Sequence, residues 1–209
     1  MKKVAITQRR VENESYPEIR DALDVRWADY CRELGILPVV LPTEYDALKY
    51  FDEFEISGII LTGGNDLSSV NPSPLSLKRD NFETSLVHYA VENSIPVLGI
   101  CRGMQLIAEY FGGTIQRIEG HSGVRHGIVP RRNSRIFIGD SLPETVNSYH
   151  GYAVAKLPDC LHIVASDDTG VIEAFEHISL PVAAQMWHPE RETPFNPCDL
   201  ELAQQLFKL

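Results

Sequence analysis

The sequence predicts an α/β fold, a three-layer sandwich in which helices flank a mainly parallel central sheet. Continuous apolar runs alternate with amphipathic stretches through the first half of the chain, and such strands are typical of parallel sheets covered on both faces. The second half is richer in short β-like runs, which predicts antiparallel additions to the sheet. The 209 residues suit one domain, 1–209, that buries its core without disulfide or metal crosslinks.

The predicted elements follow from where the apolar runs begin and end. In the first half, strands are predicted at 4–7, 37–41, 56–62 and 96–100, and helices at 22–34, 46–54, 82–93 and 103–111. Gly35 ends the first helix, Gly63-Gly64 ends the third strand, and Asp80 is the predicted cap of the third helix. In the second half, strands at 128–129, 135–138, 161–165, 171–175 and 182–186 precede a closing helix at 200–207.

The composition argues against several classes of function. The chain has 19 Lys and Arg against 29 Asp and Glu, a formal net charge of −10, so neither general nucleic-acid binding nor binding to anionic membranes is expected. No apolar run approaches the roughly 20 residues of a membrane span. The four cysteines form no paired motif and no signal peptide is visible, so we expect free thiols in a cytoplasmic protein.

A candidate nucleophile lies in the segment Gly99-Ile100-Cys101-Arg102-Gly103, which follows an apolar run and precedes an amphipathic one. Glycines two positions before and after Cys101 have the spacing of a nucleophile elbow, a tight strand-to-helix turn that presents one side chain. A cysteine in that turn lies at a helix N-terminus, where the helix dipole favours the reactive thiolate. The spacing alone also fits a buried cysteine at a strand end.

A matching base lies in the segment Trp187-His188-Pro189-Glu190, directly after another apolar run. Pro189 biases His188 towards an extended backbone, in which residues two apart face the same side. Glu190 can then fix the tautomer of the His188 imidazole while the ring faces a thiol. A surface turn with a solvated glutamate is the alternative, but Cys101 and this pair, each at a strand end, are more specific together.

These segments resemble the class I (triad) glutamine amidotransferase superfamily. Residues 99–105 resemble its nucleophile signature, 187–190 its His/Glu signature and 61–64 its oxyanion-hole strand end. The resemblance covers nearly the whole chain in the family's order, and it implies the three-layer fold and a catalytic triad of Cys101, His188 and Glu190. It also implies an oxyanion hole formed by the backbone N–H groups of Gly64 and Arg102.

Three further segments, at 79–83, 146–151 and 170–174, resemble the free-standing γ-glutamyl hydrolases of that superfamily. The resemblance implies a small-molecule γ-glutamyl substrate, a γ-glutamyl thioester intermediate and the release of L-glutamate and an amine. It implies substrate contacts at Arg79, at Gln105, and along the run of Ser148, Tyr149 and His150. The residues alone leave open a helix-surface amide at Gln105 and a loop histidine at His150.

Two other functions remain open for this fold. A glutaminase subunit would pass ammonia to a synthase partner, and a catalytically silent module would only bind a ligand. The complete triad disfavours the silent module, and the leaving group, a bulky amine or ammonia, separates the other two. The sequence predicts no cofactor and leaves the oligomeric state open.

A basic stretch interrupts the acidic chain, with five arginines and one acid between residues 117 and 135. Arginine suits bidentate phosphate binding, so Arg131 and Arg132 are candidate contacts to a phosphate-bearing leaving group, as the resemblance to a hydrolase branch of capsular phosphoramidate biosynthesis implies. Surface ion pairs are the alternative. No metal site is predicted, because His121 and His126 have no nearby acid or cysteine at ligand spacing along the chain.

Overall fold

A large mixed sheet forms the centre of the computed structural model, which describes residues 1–131, 134–137 and 142–209. The strands are β1 (Lys2–Ile6), β2 (Arg9–Glu12), β3 (Ile19–Ala22), β4 (Ile36–Val40), β5 (Ile56–Leu61), β6 (Val97–Ile100), β7 (Thr114–Arg117), β8 (Ser122–Gly127), β9 (Val129–Pro130), β10 (Thr145–Tyr149), β11 (Tyr152–Lys156), β12 (Leu161–Ser166), β13 (Ile172–His177) and β14 (Val182–Gln185). The helices are α1 (Arg26–Leu34), α2 (Leu48–Phe54), α3 (Pro74–Asn93), α4 (Arg102–Tyr110) and α5 (Pro197–Phe207), with a short 3₁₀ turn at Pro189–Arg191.

The central sheet combines a parallel half with an antiparallel half. Its order is β4-β1-β5-β6-β14-β13-β11-β7, with β12 paired to β13 and β9 paired to β12. The pairs from β4 to β14 are parallel, and those beyond β14 are antiparallel. The order confirms the predicted fold class, including the more antiparallel second half. Two small sheets, β2–β3 and β8–β10, stand outside this path.

Helices cover both faces of the parallel half. Residues 4–6 in β1 and 59–61 in β5 are consecutive and completely buried, and successive strand residues point to opposite faces, so both faces are covered. Helices α3 and α4 contact each other, as do α1 and α5, and α4 and α5 each contact β6. The two helical pairs and the sheet are therefore the layers of the predicted sandwich. No helix in these described ranges is both long and apolar enough to cross a membrane.

The structure corrects several element boundaries. Helix α3 begins at Pro74, and its cap is Ser73, whose hydroxyl accepts a hydrogen bond from the Ser76 N–H at 3.0 Å, so the predicted cap Asp80 is wrong. The first two turns of α3 mix polar and apolar residues without the spacing of an amphipathic helix, so the sequence did not indicate a helix there. The predicted helix 22–34 begins at Arg26, because residues 19–22 pair in β3 instead. The predicted strand 135–138 forms a bend at 135–137, and residue 138 lies outside the described ranges.

Candidate active site

Cys101 occupies a tight turn between β6 and α4. Its backbone φ is 53° and ψ is −106°, a conformation that costs a non-glycine residue free energy on the order of 1–3 kcal/mol. A side chain at Gly99 would place its Cβ 2.8 Å from the backbone carbonyl of Gly103, so glycine is needed where the strand turns into the helix. The turn leaves Cys101 at the N-terminus of α4 with a small exposed fraction, 7%. This is the geometry expected of a nucleophile elbow.

His188 reaches the same sheet edge from the neighbouring strand. β14 runs parallel to β6 with Gln185 opposite Ile100, so the chain segments that follow the two strands emerge side by side. His188 Nδ1 lies 2.7 Å from Glu190 Oε1, and both side chains are almost fully buried. With Nδ1 occupied by the carboxylate, Nε2 is left to hydrogen-bond the Cys101 thiol.

The charge balance at His188 favours a protonated ring. Burial alone would lower the pKa of His188, but the neighbouring Cys101 thiol and the Glu190 carboxylate outweigh it and raise the pKa to about 9. The backbone of His188 is held by Asn147, whose amide accepts from the His188 N–H at 2.9 Å and donates to the His188 carbonyl at 2.8 Å. Sequence reasoning did not assign Asn147 a role, although it lies within the segment 146–151 that carried the resemblance.

The two glycines after β5 bring the backbone against this pair. A Cβ at Gly63 would lie 2.6 Å from His188 Cε1 and 3.4 Å from Cys101 Cβ, so only glycine leaves room for the imidazole. Gly64 has a φ of +81°, in the left-handed region that favours glycine. These glycines place the predicted oxyanion-hole segment beside the predicted nucleophile and base.

We expect Gly63→Ala to displace the His188 ring and lower kcat/KM by about 100-fold, since a misplacement of about 1 Å in a catalytic group costs that order of rate. The measurement is hydrolysis of a γ-glutamyl amide, the substrate class that the family resemblance implies, together with the thermal unfolding midpoint. Gly127→Ala is the matched control, because a Cβ there meets one carbonyl oxygen at an ordinary 3.7 Å. Equal activity in the two variants would contradict the packing of His188 against Gly63.

Arg79 does not face a ligand, contrary to the expectation of a substrate contact. Its side chain is completely buried, and its guanidinium donates to Glu83 at 2.9 Å, to the Thr62 carbonyl at 2.8 Å and to the Gly63 and Gly64 carbonyls. A buried guanidinium must satisfy its donors, and here backbone carbonyls and a carboxylate do so. Arg79 therefore shapes the loop that follows β5 from behind.

The Arg102 side chain belongs to the same buried ion-pair network. It pairs with Glu83 and Asp80, both on α3, and points away from the solvent. Its backbone N–H at the first turn of α4 is the group that the sequence assigned to the oxyanion hole, so the buried side chain leaves that assignment intact as a prediction. Burial raises and the two guanidinium groups lower the pKa of Glu83, with the net shift downward.

One cavity, which we call the Cys101 cavity, has a volume of about 210 Å³ and collects several predicted substrate contacts. Cys101, Gln105, Tyr149 and His150 line it, together with Gly64 and the loop that follows. The Gln105 amide donates to the Tyr152 carbonyl at 2.9 Å, so it is a core-facing group and not a helix-surface amide. Ser148 does not line the cavity, because its hydroxyl turns away and donates to the His121 carbonyl at 2.6 Å.

A second cavity, the His188 cavity, has a volume of about 130 Å³ and is lined by His188. Gly64 lines both cavities, and the second one also contains Arg9, Trp27, Glu190 and Arg191. The Arg191 guanidinium lies 4.6 Å from the centre of the Tyr149 ring, a cation–π contact. Sequence reasoning missed Arg9, because its polar surroundings carry no recognisable motif.

Of the two predicted phosphate contacts in the basic stretch, the structure describes Arg131 alone. Arg131 is exposed, lines neither cavity, and approaches the Ser166 hydroxyl at 3.4 Å. Arg132 lies outside the described residues. Arg125 pairs with Glu192 at 2.8 Å, and Arg135 donates to the His177 carbonyl at 3.1 Å. These contacts match the alternative of surface ion pairs and backbone contacts.

A group of four chelating side chains borders the Cys101 cavity. We call it the His–Glu cluster, and its members are His121, His126, His150 and Glu173. The acid that the sequence pattern lacked is Glu173, which lies on β13 and meets the histidines only in the folded chain. Burial raises the pKa of Glu173 to about 8 and lowers that of His150 to about 4.

Comparison with known proteins gives matches over most of the chain. The family model described as peptidase C26 matches residues 4–190. The chain is 35% identical over 207 residues to γ-glutamyl-CDP-amidate hydrolase from Campylobacter jejuni subsp. jejuni serotype O:2, a match that covers 99% of this chain and 98% of that protein. It is also 35% identical over 165 residues to one subunit of the glutamine-hydrolysing GMP synthase from Pyrococcus furiosus, covering 76% of this chain and 79% of the relative.

A solved structure supports the fold at lower sequence identity. The crystal structure of a glutamine amidotransferase from Thermotoga maritima matches with a TM-score of 0.71 and 16% identity, and the alignment covers 100% of this chain and 99% of that one. At that identity the likeness concerns the arrangement of strands and helices alone.

Proposed function

Since the chain belongs to the peptidase C26 family of class I glutamine amidotransferase-like proteins, we propose that it hydrolyses a γ-glutamyl amide with Cys101, His188 and Glu190 as its triad. One observation carries the proposal. The strained turn at Cys101 and the strand end at His188 bring a thiol and an imidazole together, and Glu190 fixes the far side of that imidazole. A nucleophile, a base and an orienting acid in this order form the arrangement needed for acyl transfer.

The first half-reaction forms a thioester. The Cys101 sulfur attacks the γ-carbonyl carbon of the substrate, and the carbonyl oxygen becomes an oxyanion that the backbone N–H groups of Gly64 and Arg102 stabilise. One such donor is typically worth about 10²–10³ in rate. Protonated His188 gives its proton to the leaving nitrogen, so the C–N bond breaks and a γ-glutamyl thioester remains on Cys101.

The second half-reaction releases glutamate. Neutral His188 takes a proton from a water molecule, and the resulting hydroxide attacks the thioester carbonyl. The C–S bond breaks, the Cys101 thiolate is restored, and L-glutamate leaves. Throughout both steps Glu190 holds the same tautomer of His188 through its hydrogen bond to Nδ1, so one imidazole serves as acid and then as base.

The two cavities divide the substrate between them. The glutamyl part occupies the Cys101 cavity, where Gln105, Tyr149 and His150 contribute to the wall. The leaving group occupies the His188 cavity, in which Arg9 and Arg191 provide positive charge. Guanidinium groups bind phosphate oxygens well, so a phosphate-bearing leaving group fits this second cavity better than ammonia does.

The best specific substrate is therefore γ-glutamyl-CDP-amidate, which would give L-glutamate and cytidine diphosphoramidate. The similarity to the Campylobacter jejuni hydrolase over nearly the full length supports this choice. The similarity to the GMP synthase subunit supports a second candidate, a glutaminase that delivers ammonia to a synthase. Hydrolysis of other γ-glutamyl amines is a third outcome that the same assay separates.

A product assay with the purified full chain tests the proposal. Glutamine, a neutral γ-glutamyl amine and γ-glutamyl-CDP-amidate are offered separately, and glutamate release gives kcat/KM for each. We expect the highest kcat/KM for the nucleotide-linked substrate. Turnover of glutamine that appears only when a synthase partner is added would support the second candidate, and a preference for the neutral amine would overturn the phosphate assignment.

Replacing Arg9 tests where the phosphate binds. We expect Arg9→Ala to lower kcat/KM for the nucleotide-linked substrate by about 10- to 100-fold, because a hydrogen bond to a charged group contributes about 1.5–3 kcal/mol. Turnover of the neutral γ-glutamyl amine stays close to that of the wild type. Arg131→Ala is the matched control, since that exposed arginine lines neither cavity. If Arg131→Ala, and not Arg9→Ala, lowered turnover of the nucleotide-linked substrate alone, the phosphate would bind at the basic stretch and the assignment to the His188 cavity would be wrong.

A further inference from the structure

The His–Glu cluster brings together four ligand-type side chains from separate parts of the chain. His121 precedes β8, His126 lies on β8, His150 follows β10 and Glu173 lies on β13. One side-chain nitrogen or oxygen from each lies within 4.8 Å of the other three. The triad and the phosphate-binding arginines of the proposed function include none of these side chains, and only His150 also lines the Cys101 cavity.

The spacing within the cluster is that of ligands around one ion. Glu173 Oε1 lies 3.5 Å from His121 Nδ1, 3.7 Å from His126 Nε2 and 3.7 Å from His150 Nε2. These distances exceed those of ordinary hydrogen bonds. In a tetrahedral site with metal–ligand bonds of about 2.0–2.1 Å, neighbouring ligand atoms stand about 3.4 Å apart. The three distances from the Glu173 carboxylate are therefore close to those that a shared zinc ion would impose, and all four ligand atoms lie within 4.8 Å of one another.

Hydrogen bonding separates the polar atoms of the cluster into an inward set without partners and an outward set with partners. The inward atoms, His121 Nδ1, His126 Nε2, His150 Nε2 and both Glu173 carboxylate oxygens, are buried and have no hydrogen-bond partner among the described residues. Leaving a buried polar group unpaired destabilises a fold, so five such atoms at one point indicate a common partner.

The outward ring nitrogens are all occupied. His150 Nδ1 lies 3.0 Å from the Tyr152 carbonyl, and His126 Nδ1 lies 3.0 Å from the Gly127 carbonyl. His121 Nε2 lies 3.3 Å from the Asp167 carboxylate. Metal-binding histidines typically use one ring nitrogen for the ion and bond the other to a carbonyl or carboxylate, which fixes the tautomer. His150 and His126 show this arrangement through hydrogen bonds, and His121 has the Asp167 carboxylate at ion-pair distance in the same position.

We propose that the His–Glu cluster is a structural zinc site. Three imidazole nitrogens and one carboxylate oxygen are ligands that Zn²⁺ takes in tetrahedral geometry, and four protein ligands leave no open position for substrate. The ion connects the small β8–β10 sheet to β13 of the central sheet, and among the residues that the structure describes no strand pairing joins these two sheets. Because His150 also forms part of the Cys101 cavity wall, zinc holds that wall in place.

Metal analysis of the purified full chain tests the site without an activity measurement. We expect one equivalent of zinc per chain, and we expect chelator-treated protein to bind one equivalent again in competition with a chromophoric chelator. X-ray absorption at the zinc edge should show nitrogen and oxygen ligands at about 2.0–2.1 Å. Zinc should also raise the thermal unfolding midpoint of the chelator-treated protein, because the ion binds only the folded state tightly.

Two substitutions locate the binding to this cluster. Glu173→Gln keeps the volume of the side chain, and His126→Ala removes a partly exposed ligand, so both should fold while losing the equivalent of zinc. His88→Ala is the matched control, because that histidine lies exposed on α3 and should leave zinc content unchanged. Chelator-treated wild type that takes up no zinc, or a Glu173→Gln protein that keeps its full equivalent, would overturn the proposal.

Discussion

Cys101→Ala will abolish turnover of γ-glutamyl substrates, with kcat falling by at least about 10⁴-fold. Alanine removes the only atom that can form the thioester, while the oxyanion donors and both cavities remain to supply residual catalysis. Steady-state glutamate release measures the loss, and mass spectrometry of a quenched reaction should detect a γ-glutamyl adduct in the wild type alone. Retention of full turnover would falsify the mechanism as a whole.

The Cys101→Ala variant can also be tested by measuring the pKa of His188. Because the Cys101 thiol is one of the groups that raise the pKa of His188 to about 9, its removal should lower that pKa, which NMR titration of the imidazole measures. Cys198→Ala is the control, since Cys198 lies on α5 and lines neither cavity. An unchanged His188 titration in Cys101→Ala would show that the two side chains are not coupled.

Glu83→Gln will destabilise the fold more than an ordinary substitution, by about 3–5 kcal/mol in the free energy of unfolding. Glu83 is completely buried and pairs with both Arg79 and Arg102, so an amide removes the carboxylate that pairs with Arg79 and leaves Arg102 with Asp80 alone. Urea unfolding measures the difference. Glu92→Gln on the same helix is the control, because its side chain is 62% exposed and it should shift stability by less than about 0.5 kcal/mol.

The contribution of Glu83 to the free energy of unfolding depends on pH, and the sign of that dependence follows from its pKa. The two guanidinium groups outweigh the effect of burial and hold the pKa of Glu83 below its ordinary value of 4.5. A carboxylate with a lowered folded-state pKa stabilises the fold above the ordinary value and loses that contribution as the pH falls through the lowered one. The gap in stability between wild type and Glu83→Gln should therefore narrow on acidification below about pH 4. A gap that widened instead would contradict the ionised state of Glu83.

The parts of the fold that sequence predicts well are those that carry strong apolar patterns. The buried runs of β1, β5 and β6 and the glycine-flanked turn at Cys101 could be read directly, because burial on both faces and a steric need for glycine leave plain signals. The β2–β3 hairpin and the β8–β10 sheet could not, since β2, β3 and β8 are largely exposed or half-buried and the buried centre of β10 is mostly polar. Pairing between distant strands is decided by tertiary contacts that no local window contains.

The roles of individual side chains also fall into those that the sequence could predict and those that it could not. Cys101, His188 and Glu190 each stand at the end of an apolar run, so their meeting follows from the order of a parallel sheet. Arg79 is a predicted substrate contact because a charged residue in a family motif suggests a ligand. Its side chain is instead held by hydrogen bonds to the carbonyls of the loop after β5, which the sequence does not reveal. Glu173 lies about fifty residues from His121 along the chain, a separation that conceals their contact.

Because β6 and β14 are adjacent strands, the two reacting side chains are positioned by different parts of the fold from the side chains that bind the substrate. Cys101 and His188 are set apart by the spacing of two adjacent hydrogen-bonded strands, about 4.8 Å, and by the lengths of the short turns that follow them. Residues 102–181, which connect these strands, supply Gln105, Tyr149 and His150 to the Cys101 cavity. A protein engineer could therefore substitute cavity-wall residues such as Gln105 or Tyr149 to accept a different acyl group, and keep Asn147, which holds the His188 backbone, so that the reacting atoms keep their separation.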